Sequence, residues 1–218
     1  MKTVSIINII FLLIYAYFCY LMLGIVLQYI PYNTDVAFLN IKQHVIGMLH
    51  YRVAFFTHVY TSMLVLPAGF IQFNSTVLRK YKSLHRLSGW IYVTFVLLLV
   101  APSGLVMGVY ANGGISSQAA FCLLSLLWLY STLQAVLSVR KKDFISHRKW
   151  MIRSFALTLS AISLRAWKYI LVYLFHPPPM DTYRMVAWLS WVVNLFIAEL
   201  IILKYINHAK NNSVIPVK

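Results

Sequence analysis

Six apolar stretches, each about 20 residues or longer and separated by short polar turns, constrain this chain more than any other feature. About 20 apolar residues in a helix cross the hydrocarbon core of a bilayer, and such a helix satisfies its own backbone hydrogen bonds. The predicted spans are residues 4–29, 51–73, 86–109, 117–139, 150–175 and 183–205. We therefore predict an all-α membrane protein with six transmembrane helices, forming a single polytopic domain over residues 1–218. Spans two to five are expected to form a four-helix up-down bundle.

The composition indicates that lipid is the main solvent of the chain. Of the 218 residues, 61% are hydrophobic and only 11% are charged, which is too apolar for a soluble domain. The net charge of +15 comes from short groups of Lys and Arg between the apolar stretches. This distribution is typical of juxtamembrane loops, and no basic domain exists outside the predicted spans. We therefore expect the lipid bilayer as a partner and no nucleic acid.

The positions of Lys and Arg also predict the orientation. If the N-terminus is cytoplasmic, the cation-rich segments 79–86 and 140–153 lie on the cytoplasmic side, and few cations remain outside. Cytoplasmic loops of membrane proteins carry such an excess of Lys and Arg. We therefore predict a plasma-membrane protein with cytoplasmic N- and C-termini.

Two histidines occur in a repeated pattern at the inner ends of two spans. "KYKSLHRLSGWIYV" begins the third span with His85, and "KKDFISHRKWMIRS" begins the fifth with His147. Both spans run outward, so the two imidazoles start at the same depth, and Gly89 leaves room beside them for a flat group. Haem iron accepts two axial His ligands, which makes His85 and His147 candidate ligands of a haem b. The alternatives are that both are interface anchors, or that they hold another ligand, such as an anionic lipid head group or a quinone.

A second group of polar residues lies within the spans. His147 and Arg165 are 18 residues apart, which is five helical turns, so they share one face with Ser154. Tyr92 shares the face of His85. His58 lies about two turns below the outer surface of the second span, at a depth similar to that of Arg165. Ionisable groups at such depths are typical of functional sites.

These four residues, His58, Arg165, Tyr92 and Ser154, are predicted to line a ligand pocket. The alternatives are that Arg165 snorkels to the outer interface and that His58 only hydrogen-bonds a neighbouring helix. The fourth span has no His, so a second bis-His haem is not predicted. No spacing typical of a zinc site or of a known catalytic motif is present, so we predict no metal site, and the sequence identifies no catalytic residue and does not decide whether the protein is an enzyme.

Two further features are expected to be structural. Glu199 is the only acid within the apolar part of a span, and it lies at a depth where it can pair with Arg153. Gly104 and Gly108 form a GxxxG pattern, which favours close contact between helices.

Three blocks of the chain resemble the signature blocks of one family. "HVYTSMLVLPAGFIQF", "LHRLSGWIYV" and "SHRKWMIRSFALTLSAISLRAW" are similar to those of the bacterial predicted membrane proteins of DUF2306, over about residues 50–170. The matching positions are His58, Gly69, His85, Arg86, Gly89, Tyr92, His147, Arg148, Trp150, Met151, Arg153, Ser154, Ala156, Leu157 and Arg165. The resemblance implies a polytopic helical protein of the bacterial inner membrane with no established activity. A looser likeness to transmembrane b-type cytochromes rests on His85 and His147 alone.

Two functions are therefore compatible with the sequence. The first is a b-type haem-binding electron-transfer protein with a quinone or another electron-transfer partner. The second is a non-enzymatic carrier or accessory membrane subunit, in which His58 and Arg165 line a polar intramembrane pocket.

Overall fold

The computed structural model describes residues 6–213, with the side chains of residues 9, 10 and 12–206. The α-helices are α1 (Ile6–Leu27), α2 (Gln43–Ile46), α3 (Leu49–Gln72), α4 (Ser75–Lys80), α5 (Lys82–Phe95), α6 (Ala101–Val109), α7 (Ile115–Arg140), α8 (Phe144–Thr158), α9 (Ser160–Phe175) and α10 (Pro179–Ser213). A 3-10 helix covers Ala37–Lys42, and a π turn, Val96–Val100, joins α5 to α6. The chain is therefore helical, as predicted.

Four helical segments of the described chain are long and apolar enough to cross a membrane. They are Leu49–Gln72, Lys82–Val109, Ile115–Arg140 and Pro179–Ile206. A fifth span is formed if α8 and α9, which meet at an angle of 44°, are taken together. The apolar part of α1, Leu12–Leu27, is shorter than a full span. The predicted first span, residues 4–29, and with it the total of six spans, therefore stays a prediction, and residues 4 and 5 lie outside the described residues.

The helices pack against one another mostly in chain order. Helix α3 packs against α5 and α6, α6 against α7, α7 against α8, and α8 touches α3 again. Helix α10 lies along α7, α8 and α9, and α1 lies against α3. Two further helices thus pack beside the predicted spans two to five, and the four-helix up-down bundle itself stays a prediction.

The predicted third and fifth spans each contain an irregularity. Pro102 has no N–H to donate to the carbonyl of residue 98, and the π turn Val96–Val100 lies directly before it. The fifth span breaks between Thr158 and Ser160, where no Pro or Gly is present. Instead, the Asn194 side chain from α10 donates a hydrogen bond of 3.0 Å to the Ala156 carbonyl. A polar side chain that hydrogen-bonds to a helix carbonyl in this way stabilises a bend.

Two buried clusters hold the bundle together. The larger one lies at the centre of α3, α5, α7, α8 and α10 and includes Tyr92, Trp128 and Leu157. The second lies at the N-terminal end of α3, where the segment 29–46 folds over Tyr51 and Phe55. Large apolar side chains on the outside of the helices remain exposed, as expected for a surface that faces lipid.

The predicted ion pair and the predicted close contact between helices are both present. Arg153 Nε and Nη2 donate to the Glu199 carboxylate at 2.5 and 2.8 Å, which confirms this ion pair and joins α8 to α10. A Cβ atom added at Gly108 would lie 3.1 Å from the backbone nitrogen of Cys122. Gly108 therefore permits close approach of α6 to α7, as the GxxxG pattern indicates.

Candidate functional site

His147 is held in one orientation at the start of α8. The Asp143 side chain caps this helix by accepting a bond of 2.9 Å from the Ser146 N–H, and this bond lowers the pKa of the Asp143 carboxyl. One turn later, His147 Nδ1 lies 2.8 Å from the Ala135 carbonyl of α7. A carbonyl only accepts, so Nδ1 carries the proton and donates it. The other ring nitrogen, Nε2, then keeps its lone pair for a ligand.

His85 lies in the first turn of α5, the position in its helix that His147 has in α8. Its Nδ1 atom is buried and has no hydrogen-bond partner among the described residues. Buried polar atoms are nearly always paired in folded proteins, so an unpaired one is a candidate binding atom. Both histidines thus lie in the first turn of their helices, and their pairing around a ligand stays a prediction.

The space beside Gly89 is filled, which differs from the expectation that a flat group lies there. The Gln72 amide from α3 occupies it, and a Cβ atom at Gly89 would lie 3.2 Å from Gln72 Oε1. Gln72 Nε2 donates to the His85 carbonyl at 2.7 Å and to Ser88 Oγ at 2.6 Å. The glycine thus serves helix packing, because only a residue without a side chain leaves room for this amide.

Tyr92 and Ser154, two of the predicted pocket residues, form part of a closed hydrogen-bonded cluster. Tyr92 is 0% exposed, and its hydroxyl lies 2.7 Å from both Ser154 Oγ and Thr158 Oγ1. Trp128 Nε1 donates to the same hydroxyl at 3.4 Å, and Thr132 Oγ1 lies 2.7 Å from Ser154 Oγ. These five side chains, which we call the hydroxyl cluster, join α5, α7 and α8 at the centre of the protein.

Sequence reasoning did not find the α7 part of this cluster. Trp128 and Thr132 are four residues apart, and this i, i+4 spacing on one helix face was the available signal. Gly69 of α3 lies against the cluster, and a Cβ atom there would be 2.6 Å from the Phe155 ring and 2.9 Å from the Tyr92 ring. The cluster is therefore closely packed around Tyr92.

His58 binds to the π turn. Its Nδ1 atom lies 2.9 Å from the Val100 carbonyl and 3.4 Å from Ser103 Oγ, and the ring rests against Gly104. The Nδ1–H donates to the carbonyl, so Nε2 keeps the lone pair, as in His147. π turns within α-helices occur frequently at functional sites.

Arg165 lies in α9 and is partly buried. Its Nη1 atom donates to the Ala161 carbonyl at 2.7 Å, and among the described residues no hydrogen bond joins it to His58. The four predicted pocket residues are thus not shown in a single pocket. Tyr92 and Ser154 lie in the hydroxyl cluster, His58 lies against the π turn, and Arg165 lies on a different helix.

No group of three or more His, Cys, Asp or Glu side chains suited to a metal ion occurs within residues 6–213. No curated protein and no solved structure matches the chain in sequence or fold comparisons. The family model described as "Predicted membrane protein (DUF2306)" matches residues 55–202, which include His85, His147, the hydroxyl cluster and His58. This match covers more than half of the chain, and the protein therefore belongs to the DUF2306 family of predicted membrane proteins.

Proposed function

We propose that this membrane protein transfers electrons and that His85 and His147 hold one b-type haem at the ends of α5 and α8. The observation that carries the proposal is the bond from His147 Nδ1 to the Ala135 carbonyl, which leaves Nε2 available as a ligand. Histidines that bind metals characteristically donate their other N–H to a carbonyl or carboxylate, which fixes the ring and raises its basicity.

The residues around the pair fit such a group. The buried Nδ1 of His85 lacks a partner among the described residues, and either ring nitrogen of a histidine can ligate a metal. Arg86 and Arg148 directly follow the two histidines and supply positive charge for carboxylates at this end of the bundle. When bound, a haem supplies reversible one-electron chemistry at its iron. Gln72 fills the space beside Gly89, so the haem proposal is supported by the two imidazoles and not by the glycine.

The chain's own residues would set the properties of this site. The Ala135 carbonyl fixes the tautomer of His147, and Gln72 fixes the backbone of His85 through its carbonyl. We place this site on the cytoplasmic side of a bacterial inner membrane, with both chain termini in the cytoplasm. The excess of Lys and Arg around residues 79–86 and 140–153 supports this orientation. The electron partner is a quinone or a redox protein.

The test is a reduced-minus-oxidised visible spectrum of the purified protein, expressed with haem supplied. We expect a b-type α-band in the wild type and its loss in both His85→Ala and His147→Ala. His44→Ala is the matched control, because His44 is an exposed histidine of the segment before α3, and it should keep the band. Size-exclusion chromatography establishes that each variant is folded. A folded wild type without the band refutes the proposal.

A second candidate function is a carrier or accessory subunit with a ligand site near the π turn. It is favoured by His58, whose Nδ1 bond to the Val100 carbonyl leaves the Nε2 lone pair available within a span. An imidazole lone pair together with the guanidinium of Arg165 would suit a ligand that carries both a donor and an anionic or carbonyl oxygen. His58→Phe and Arg165→Gln should then abolish function in cells while His147→Ala leaves it intact, the reverse of the haem prediction.

A further inference from the structure

A surface groove runs between the N-terminal half of α3 and the helix formed by the π turn and α6. Its larger part has a volume of about 610 Å³, and its lining includes the small residues Ala54, Thr57 and Ser103. A second part of about 510 Å³ shares Val53, Thr57 and Leu99 with the first. Both volumes fall within the range of about 300–1,000 Å³ that is usual for small-molecule sites.

The groove opens towards the lipid. Val53 is 56% exposed and Leu98 is 69% exposed, and both lie on candidate membrane spans. Leu98 and Leu99 of the π turn line the groove together with residues of α3. The depression is thus apolar, elongated along a span and accessible from the bilayer, which matches the shape and chemistry of an acyl chain.

A cation without an internal partner lies at one end of this groove. Arg52, in the first turn of α3, lines the second part together with Tyr32 and Tyr60. Within the described residues, no Asp or Glu lies within 4.0 Å of Arg52, since the two ion pairs found use Glu199 and Asp181.

The position of Arg52 indicates which anion it meets. A guanidinium stays charged in proteins, and its planar fork matches a phosphate with two parallel hydrogen bonds. The first turn of a span lies near the membrane–water interface, where Tyr and Arg side chains are commonly found. The anion that a bilayer supplies at that depth is the phosphate of its phospholipids.

We propose that this groove is a phospholipid-binding site. The phosphate binds the Arg52 guanidinium, and one acyl chain lies along α3 and α6 against Val53, Leu99 and Pro102. The leaflet that supplies the lipid is the one at the N-terminal end of α3. This inference does not depend on the proposed haem, because none of the groove residues contacts His85 or His147 among the described hydrogen bonds.

The test is native mass spectrometry of the protein purified in detergent with phosphatidylglycerol added. The measured quantity is the fraction of protein that retains one lipid as detergent is increased. We expect Arg52→Gln to weaken retention by about tenfold or more, as loss of a charge-assisted hydrogen bond implies. Val53→Trp should weaken it similarly, because the indole fills the part of the groove that both volumes share.

Two matched variants control for charge and for bulk. Lys168→Gln removes an exposed cation of α9, and Val192→Trp adds an indole to an exposed position of α10, both away from the groove. Both should retain lipid as the wild type does. Equal retention by Arg52→Gln and wild type would overturn the phosphate contact, and equal retention by Val53→Trp would overturn the acyl-chain site. Diacylglycerol lacks the phosphate, so retention of diacylglycerol as strong as that of phosphatidylglycerol would also overturn the proposal.

Discussion

Tyr92 is fully buried at the centre of the hydroxyl cluster, and Tyr92→Phe tests the contribution of its hydroxyl to stability by removing one oxygen atom. The hydroxyl makes two bonds of 2.7 Å, to Ser154 and Thr158, and accepts the Trp128 N–H at 3.4 Å. Each buried hydrogen bond contributes about 0.5–1.5 kcal/mol net, and a buried donor left without a partner costs about 1–3 kcal/mol. Ser154 and Thr158 keep other partners, so the main loss falls on Trp128. We expect a decrease of about 2–4 kcal/mol in the free energy of unfolding.

The assay is reversible unfolding in mixed micelles, followed by circular dichroism and by Trp fluorescence. Tyr130→Phe is the matched control, because Tyr130 is 50% exposed and its hydroxyl makes no hydrogen bond within the described part of the chain. That control should change stability by less than about 0.5 kcal/mol. If Tyr92→Phe costs no more than Tyr130→Phe, the hydroxyl cluster does not stabilise the bundle and the reasoning is wrong.

Two further predictions use the same unfolding measurement. Gly69→Ala should destabilise the protein by about 1–3 kcal/mol, because the new Cβ would lie 2.6 Å from the Phe155 ring. At Gly24 a new Cβ would meet open space, so the control Gly24→Ala should be neutral or stabilising. Equal effects of the two variants on the free energy of unfolding would contradict this prediction. Lys42 is 1% exposed and donates to the Tyr110 carbonyl and to Asn112 Oδ1, and its burial lowers the pKa of its ammonium group. Since the unfolded chain then binds more protons between that lowered pKa and about 10.5, stability should rise with pH in this window, and Lys42→Met should abolish the rise.

The lengths and positions of the spans were predictable because the bilayer restricts them. The predicted second span, 51–73, corresponds to Leu49–Gln72, and the predicted fourth span, 117–139, corresponds to Ile115–Arg140. A helix in lipid must bury its backbone polar groups internally, so an apolar run of sufficient length has few alternatives. The prediction was also right for Arg153 and Glu199, because an acid within a span needs a partner at its own depth.

The break in the fifth span was not predictable from local sequence. Nothing between Thr158 and Ser160 disfavours a helix as Pro or Gly does, and the bend depends on Asn194, which is more than thirty residues away in the chain. Asn194 also accepts a hydrogen bond of 2.9 Å from Ser163, so this one side chain connects both α8 and α9 to α10. Lys42 lies between the predicted first and second spans, and only the folded segment 29–46 shows that it is buried. Such features depend on distant partners, which local propensity does not encode.

His58 and His147 make the same kind of hydrogen bond, and this bond connects the local structure of the spans to the functions proposed for them. In both residues Nδ1 donates to a helix carbonyl, the Val100 carbonyl in the π turn and the Ala135 carbonyl near the end of α7. Each carbonyl oxygen has two lone pairs, and a helix uses one of them, so the second can hold an imidazole without breaking the helix. In a low-dielectric bundle this bond fixes the tautomer and leaves Nε2 as a basic lone pair. His85 Nδ1 is also buried, but it makes no such bond among the described residues. Buried polar atoms are nearly always paired in folded proteins, and this contrast between a fixed imidazole and one with an unpaired buried nitrogen is the argument for proposing a ligand at the ends of α5 and α8.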